Sequence, residues 1–592
     1  MLSVQTFLIP LSCENMLKPV RLVPWSFLLL FLGIFLWGLN ARYPLIGEDY
    51  FYVFPRLLEG KWHFLRQGFA PLRFSPHLCG GFPQYGNPQD HFYSLPQFFS
   101  FFLDLWTATQ VSLVLIMGSG YFGWVRFGKD VLRLSSGWSH VLALVSIANG
   151  FYFMHMLIGH LWVISLPLTS WLLWLLFLPG REKAKTLWMR AILFASVSAY
   201  MLYSGSQTLL LLLILIIASI LPFDLLLAKD ARERAVTLLR RIGAYGVLAL
   251  VLSASKLVAV FSLLRTLTVE ASFSGYHANE SMLLFAAKSF FALPQSVALF
   301  AEHSAASFSR VQEESMFTSH ATLLGVLFLL FSLFRTTSFS RGKKWALALY
   351  AVFLVSFVLA LVRGTGIIPE TLQHFPLFSA LRVPERFLFI LSLSLSLAGV
   401  MGAATFARTF LKPRWENGLL IVAGLLTIVG FLAAYVPLLK NDPLSISLPY
   451  AELRALEKKQ EGYLRLPVMQ AFEPEGEQVS DFHYLFFAST GTQCYEALPH
   501  ALAPLRNGPV EMVYDGAFNI YNPACLQYPT ENACTPGTRV STDDQENFLR
   551  FIRGEKTTWK LSSLQIFADR LTIISFVLTP LGFIALRRKQ RL

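Results

Sequence analysis

Glu48 and Asp49 stand where the first long apolar run of the chain gives way to polar sequence, in Leu45-Ile46-Gly47-Glu48-Asp49-Tyr50. Carboxylates at a membrane boundary cost solvation free energy unless water or a partner receives them, so they are functional candidates by default. The competing reading is a solvated loop after a helix. Lys256 lies inside another apolar run, Leu252-Ser253-Ala254-Ser255-Lys256-Leu257. A lysine there needs a partner, an anion or an outward path for its ammonium. Arg382 and Arg386 are four apart, a spacing one helical face can carry. Their guanidinium forks suit phosphate oxygens; interfacial anchoring is the alternative, and Pro384 between them leaves the local geometry open. His155 and His160 close and open adjacent apolar runs, where each can serve a ligand or the structure.

The loop after the acidic pair has a distinctive composition. Phe74-Ser75-Pro76-His77-Leu78-Cys79-Gly80-Gly81-Phe82-Pro83-Gln84-Tyr85-Gly86-Asn87-Pro88-Gln89-Asp90-His91-Phe92-Tyr93 alternates Gly, Pro, aromatics and amides. Gly and Pro set tight turns. Amides such as Asn87 and Gln89, with aromatics beside them, can hydrogen-bond and stack on hydroxyl-rich ligands. A loop of this order beside an acidic pair reads as a binding site rather than a spacer.

These residues must be positioned by membrane-spanning helices. The chain has 592 residues, 54% hydrophobic and 14% charged. Apolar runs long enough to cross a bilayer recur throughout, which predicts a polytopic α-helical membrane protein. The runs fall at roughly 23–40, 96–125, 138–157, 161–179, 188–204, 207–228, 242–264, 319–335, 344–363, 386–407, 417–438 and 570–587, about twelve spans in all. Lys18 and Arg21 precede the first, with no small-residue cleavage site after it, so that span is expected to stay as an anchor.

The net charge of +13 does not point to nucleic acid. Residues 441–569 hold 17 Asp and Glu against 10 Lys and Arg, and the positive excess lies elsewhere. Much of it sits in alternate short loops: Arg126, Lys129 and Arg133; Arg181, Lys183, Lys185 and Arg190; Lys229 to Arg241; Arg335 to Lys344; Arg408 to Arg414; and the tail from Arg587 to Arg591. This is the pattern of a cytoplasmic face, and it predicts both termini inside. The connections 41–95, 265–318, 364–385 and 441–569 then lie on the exported face. The last predicts a smaller exported domain, mixed α/β or β-rich, followed by a final helix and basic tail over 570–592. Residues 1–440 form the transmembrane module. Within the first exported loop, Phe51, Phe54, Leu58, Trp62 and Leu65 recur at helical spacing, which predicts a helix over 50–65 lying on the membrane, with Glu59 and Arg66 toward water. Cys525 and Cys534 are close enough to form a disulfide or to remain free thiols. No cysteine spacing resembles a zinc site.

A first span ending in an acidic pair, a following helix and a Gly-Gly-x-Pro…Asn-Pro-Gln…Phe-Tyr loop resemble the GT-C superfamily of integral-membrane glycosyltransferases, and its YfhO-like bacterial branch in particular. Three later elements follow in the order of that branch. Gly159-His160-Leu161 opens the fourth run. Ser204-Gly205-Ser206-Gln207 opens the sixth, with Ser206 where the branch tends to carry Pro. Arg382-Val383-Pro384-Glu385-Arg386-Phe387 matches its Arg-x-Pro-x-Arg-Phe element. The likeness spans most of residues 23–410.

The resemblance implies transfer of a sugar from a polyprenyl-phosphate carrier to a glycan, lipid or protein acceptor on the exported face. It places the chain in a bacterial inner membrane. One carboxylate, Asp49 first and Glu48 next, would take the acceptor proton, and Asp90 is a further acid. Lys256, Arg382, Arg386, His160 and His155 would receive the donor phosphate. Asn87, Gln89 and Gln207 would meet sugar or acceptor hydroxyls. Mg²⁺ or Mn²⁺ is compatible with Glu48, Asp49 and Asp90 as hard oxygen ligands, but the resemblance does not imply one. Twelve spans with both ends inside also suit a transporter or lipid flippase, although internal repeats are not evident. A non-catalytic assembly factor with an idle site is the third reading.

Overall fold

The computed structural model describes residues 19–47, 49–180, 183–266, 282–291, 315–335, 341–363, 367–373, 383–441, 448–451, 454, 458, 468–470, 489–491 and 508–588. Glu48 and Arg382 lie outside the described residues.

The chain begins with α1 (Pro19–Leu39), the two-residue strand β1 (Leu45–Ile46) and α2 (Tyr50–Gln67). After the 68–94 loop come α3 (Leu95–Phe99), α4 (Leu105–Arg126), α5 (Ser136–Ile147), α6 (Gly150–Ile158), α7 (Thr169–Phe177), α8 (Ala184–Tyr203), α9 (Gln207–Leu227), α10 (Ala231–Leu252) and α11 (Ala254–Leu264). Then follow α12 (Met282–Phe291), α13 (His320–Arg335), α14 (Arg341–Arg363), α15 (Ile367–Gln373), α16 (Leu388–Phe410) and α17 (Pro413–Asn441). Nine stretches among the described residues are long and apolar enough to cross a membrane, and four shorter apolar helices accompany them. The protein is a polytopic α-helical membrane protein. Full-length helices alone do not make the expected twelve.

The apolar runs break where local chemistry interrupts the helix. The run 96–125 divides because Asp104 accepts from the Thr107 amide at 3.1 Å and starts α4 there. Asn149 accepts from the Phe151 amide at 2.9 Å, separating α6 from α5. The run 161–179 is two short 3-10 turns, Leu161–Val163 and Leu166–Leu168, followed by a nine-residue helix. The run 242–264 is the end of α10 and all of α11, parted at Ser253. Hydropathy reports transfer into lipid and carries no record of these caps.

Small residues set the closest helix packing. A Cβ on Gly325 of α13 would lie 2.0 Å from the Gly399 carbonyl oxygen of α16, and one on Gly402 would lie 2.1 Å from the Gly325 oxygen. Such close backbone approach is how helices associate where lipid removes the hydrophobic incentive. At one end of the bundle, buried Arg241 donates to the Leu176 and Leu178 carbonyls, and Arg234 to those of Phe177 and Leu178. These are the unpaired carbonyls that a helix C-terminus leaves exposed. Glu416 accepts from the Trp138 indole at the same end.

The other end carries the loops. β1 pairs antiparallel with β2 (Leu448–Pro449), matching Leu45 to Pro449 and Ile46 to Leu448. The strands β3 (Val468–Gln470), β4 (Ser489–Gly491) and β5 (Gly508–Pro509) form one small mixed sheet. An antiparallel sheet of β6 (Met512–Tyr514), β7 (Ala517–Tyr521) and β8 (Arg539–Ser541) packs with α18 (Pro523–Gln527) and α19 (Gln545–Ile552). Its core takes in Phe74 of the first loop beside Ile520, Tyr521, Val540 and Phe551. A disulfide joins Cys525 to Cys534. Cys79 is also disulfide-bonded. The final helix, α20 (Ser563–Arg588), begins ahead of the expected 570 and turns Ile573, Phe576, Val577 and Leu581 outward.

The helix expected over 50–65 forms, but it does not lie on the surface. Residues 52–60 are all buried. Glu59, expected to face water, is fully buried and accepts from Ser75 Oγ at 2.7 Å. Leu65, expected on the apolar face, is exposed. The first loop covers the polar side of α2, which helical periodicity in α2 alone cannot reveal.

Candidate active site

Two chain segments meet tightly at Asp49. A Cβ on Gly47 would sit 2.3 Å from the Ile158 carbonyl oxygen. The Asp49 amide donates to that same oxygen at 3.0 Å. Tyr50 Oη, fully buried, donates to the Met156 carbonyl at 2.6 Å. The first turn of α2 thus satisfies carbonyls that the end of α6 leaves unpaired. α6 stops at Gly159, whose φ of 112° is a left-handed conformation that glycine adopts without steric cost. The next amide, of His160, turns back to the His155 carbonyl at 2.8 Å. This bend delivers His160 beside Asp49.

The Asp49 carboxylate pairs with His160 Nε2, both side chains being slightly open to solvent. Asp49 occupies the N-cap position of α2, yet its side chain makes no capping bond there. With a carboxylate at Nε2, that nitrogen carries the proton. His160 Nδ1 is buried and has no hydrogen-bond partner among the described residues. His155 Nδ1 donates to the Phe151 carbonyl at 2.8 Å. The two imidazoles lie 5.0 Å apart, and Trp162 meets the His155 ring edge-on at 5.5 Å. The Arg386 guanidinium stacks over the Trp162 ring at 4.5 Å, a cation–π contact. Arg386 comes from the 3-10 turn Pro384–Phe387 that precedes α16. An acid, two imidazoles, an indole and a guanidinium therefore form one cluster. Trp162 was not among the expected residues; a single tryptophan beside a histidine carries no pattern of its own.

Lys256, Asp90, Asn87 and Gln89 belong to a second network. Lys256 is fully buried, and its Nζ donates to the Tyr85 and Asn87 carbonyls, both at 2.9 Å, and to Asp90 Oδ2 at 3.3 Å. Each of its three protons has an acceptor. The anion that meets its ammonium in this structure is Asp90. Asp90 also accepts from Gln84 Nε2 at 2.9 Å. Asn87 Oδ1 accepts from the Gln89 amide at 2.8 Å, so the amide pair shapes the turn. Tyr85 Oη shares a 2.7 Å bond with Ser255 Oγ, which donates to Asp569 of α20 at 2.6 Å; Arg73 pairs with that carboxylate. Burial raises the Tyr85 hydroxyl well above its ordinary range.

Gln207 begins α9, beside the turn Ser204–Gln207. Burial pushes the His91 imidazole down to about 4, so it is neutral and its Nδ1 donates to the Ser204 carbonyl at 2.8 Å. Ser204 Oγ lies 3.2 Å from Ser165 Oγ.

Asp49 and Asp90 belong to separate networks. Among the described residues, no group of three or more His, Cys, Asp and Glu is placed to hold a metal ion. Glu48, the third carboxylate compatible with a metal, lies outside the described residues.

No protein-family model matches the chain, and no curated protein matches it. Among solved structures, it is similar to the cryo-EM structure of arabinofuranosyltransferase AftD from mycobacteria, with 14% identity and a TM-score of 0.44 over 76% of this chain and 29% of that one. A mutant form of the same enzyme gives 14% identity and 0.41 over 80% and 33%. The chain thus spans about a third of the length of these enzymes. A likeness of this size does not bear on activity.

Proposed function

We propose that the protein is a membrane glycosyltransferase of GT-C type. It uses a polyprenyl-phosphate sugar and transfers the sugar to a glycan, lipid or protein acceptor. The observation that carries this reading is the Asp49–His160 pair. A carboxylate at the boundary of the first apolar helix turns away from its own helix and meets an imidazole. Arg386 and His155 gather around Trp162 beside it.

In this mechanism Asp49 accepts the proton of the acceptor hydroxyl as that oxygen bonds to the anomeric carbon. The anomeric carbon–oxygen bond to phosphate breaks, and the phosphate leaves with the electron pair. Arg386 balances the charge on that leaving group, and His155 lines the site beside it. Direct attack inverts the anomeric carbon. His160 holds the Asp49 carboxylate in place. The YfhO-like branch, the exported orientation of the loop end and placement in a bacterial inner membrane follow from the motif likeness and the charge pattern of the loops. No step passes through a metal.

The test uses wild type, Glu48→Gln and Asp49→Asn, purified in detergent with matched size-exclusion profiles. Each is offered a panel of polyprenyl-phosphate sugars and cell-envelope acceptors, and transfer is followed by mass spectrometry. Transfer by wild type that Asp49→Asn abolishes supports the reading. Loss in Glu48→Gln alone moves the base by one residue. Unchanged transfer in both removes the acidic pair from the chemistry. No transfer by wild type with any donor favours a transporter or assembly factor.

A further inference from the structure

Ser206 stands at the N-cap of α9, a 21-residue helix, and does not cap it. Serine is among the preferred caps because its hydroxyl accepts from the helix's first free amides. Here Ser206 has φ −96° and ψ 34°, outside the extended geometry that capping uses, and its side chain makes no capping bond. Its side chain is fully buried, and Oγ has no hydrogen-bond partner among the described residues. Gln207 Nε2, one residue on, is likewise buried without a partner among the described residues. Leaving a buried donor unmade costs roughly 1–3 kcal/mol, so two at one helix end call for an acceptor.

The turn is held in this form by its surroundings. Gly205 adopts φ 81°, and a Cβ there would lie 2.9 Å from the His91 ring. His91 grips the Ser204 carbonyl, and Ser165 meets the Ser204 hydroxyl. The first loop thus fixes the turn in a shape that prevents capping. α9 also packs against the turn Leu161–Val163, which carries Trp162 beneath Arg386.

We infer that the Ser206–Gln207 end of α9 is a seat for the phosphate of a lipid-linked ligand. The Ser206 hydroxyl and Gln207 amide supply donors, and the start of a helix supplies free amides and the positive end of its dipole. The proposal rests on the glycosyltransferase reading for the identity of the ligand. It reassigns Gln207 from a sugar hydroxyl to the phosphate.

The test measures binding of a polyprenyl phosphate and of the matched polyprenol to the full chain in nanodiscs, by native mass spectrometry. Wild type, Ser206→Ala, Gln207→Glu and Asp49→Asn are compared, with transfer assayed on the same preparations. Gln207→Glu adds a charge that favours the free helix and opposes phosphate. Its ligand-free melting temperature should hold or rise, while its preference for the phosphorylated lipid falls about tenfold, the worth of one charge-assisted hydrogen bond. Ser206→Ala should lose part of the preference, and Asp49→Asn none. A preference that survives in both Ser206→Ala and Gln207→Glu overturns the seat, and so does a wild type that binds both lipids equally. Transfer reports separately on the enzymatic reading. Absent transfer with a preference that Gln207→Glu removes would leave the seat standing as a lipid-phosphate site and sink the enzyme.

Discussion

Gly159 lies so close to Tyr50 that a Cβ there would sit 2.5 Å from the Tyr50 amide nitrogen. It would also meet the Asp49 carbonyl carbon at 2.9 Å. Both backbones are committed at this point, one by the end of α6 and the other by the start of α2. Gly159→Ala is therefore expected to cost about 1–3 kcal/mol from the left-handed backbone alone, with the clash added. The melting temperature should fall, and Asp49 should move from His160. An alanine variant that melts and transfers sugar like wild type would show that the junction can relax.

His160 is expected to act through Asp49. His160→Gln can keep a donor toward the carboxylate, whereas His160→Phe cannot. The first should retain part of the transfer rate, and the second should lose roughly 10²-fold or more, the span of positioned proton transfer. The loss should appear in kcat, with KM for the donor nearly unchanged. A loss confined to KM would instead make His160 a donor-binding residue.

Lys256 and Asp90 are expected to behave as a buried pair. Removing one partner strands the other charge and costs about 3–5 kcal/mol. Lys256→Met and Asp90→Asn should each lower the melting temperature in detergent. The double variant Lys256→Met/Asp90→Asn should lose less than the sum of the two, because the energies of residues in contact do not add. Fully additive losses would show that the two side chains act independently.

His91 gives stability a pH dependence. Its imidazole is held at about 4 in the folded protein, against an ordinary value near ~6.5. Between these values the unfolded chain binds a proton that the folded chain refuses, so stability falls as pH falls through that window, by up to about 3 kcal/mol. Acidification from about pH 7.5 to about pH 4.5 should lower the melting temperature more in wild type than in His91→Gln. Equal slopes would place the acid-sensitive group elsewhere.

The helical membrane class was legible because apolar runs mark spans wherever lipid is the solvent. Their interruptions were not. Asp104, Asn149 and Ser253 break helices through capping or a local change of backbone, with little effect on hydropathy. α2 was legible as a helix and misplaced as a surface one, because the cover over Glu59 comes from residues near Ser75. Asp49, His160 and Arg386 each stood out for their own chemistry, at a boundary, a run end and a loop. That they form one cluster depends on the bend at Gly159 and on Trp162, neither of which has a sequence signature for that contact. Lys256 shows the limit most clearly. A buried cation needs an anion, but the sequence cannot say whether that anion is a ligand or Asp90.

The Arg73–Asp569 pair joins residues 496 positions apart. Arg73 belongs to the loop that shapes the site, and Asp569 to the last helix of the bundle. Ribosomes add about 5–20 residues per second, so the loop waits on the order of 25–100 seconds for its partner. Until late in that interval the Asp49 segment is already made, but the β6–β8 sheet and α20 are not there to close over the loop. Biogenesis thus has a built-in order, in which the first loop to be translated is among the last to be completed. Truncation near the C-terminus would consequently disable the proposed chemistry encoded near the N-terminus, even though every residue of the Asp49–His160 pair had been synthesised.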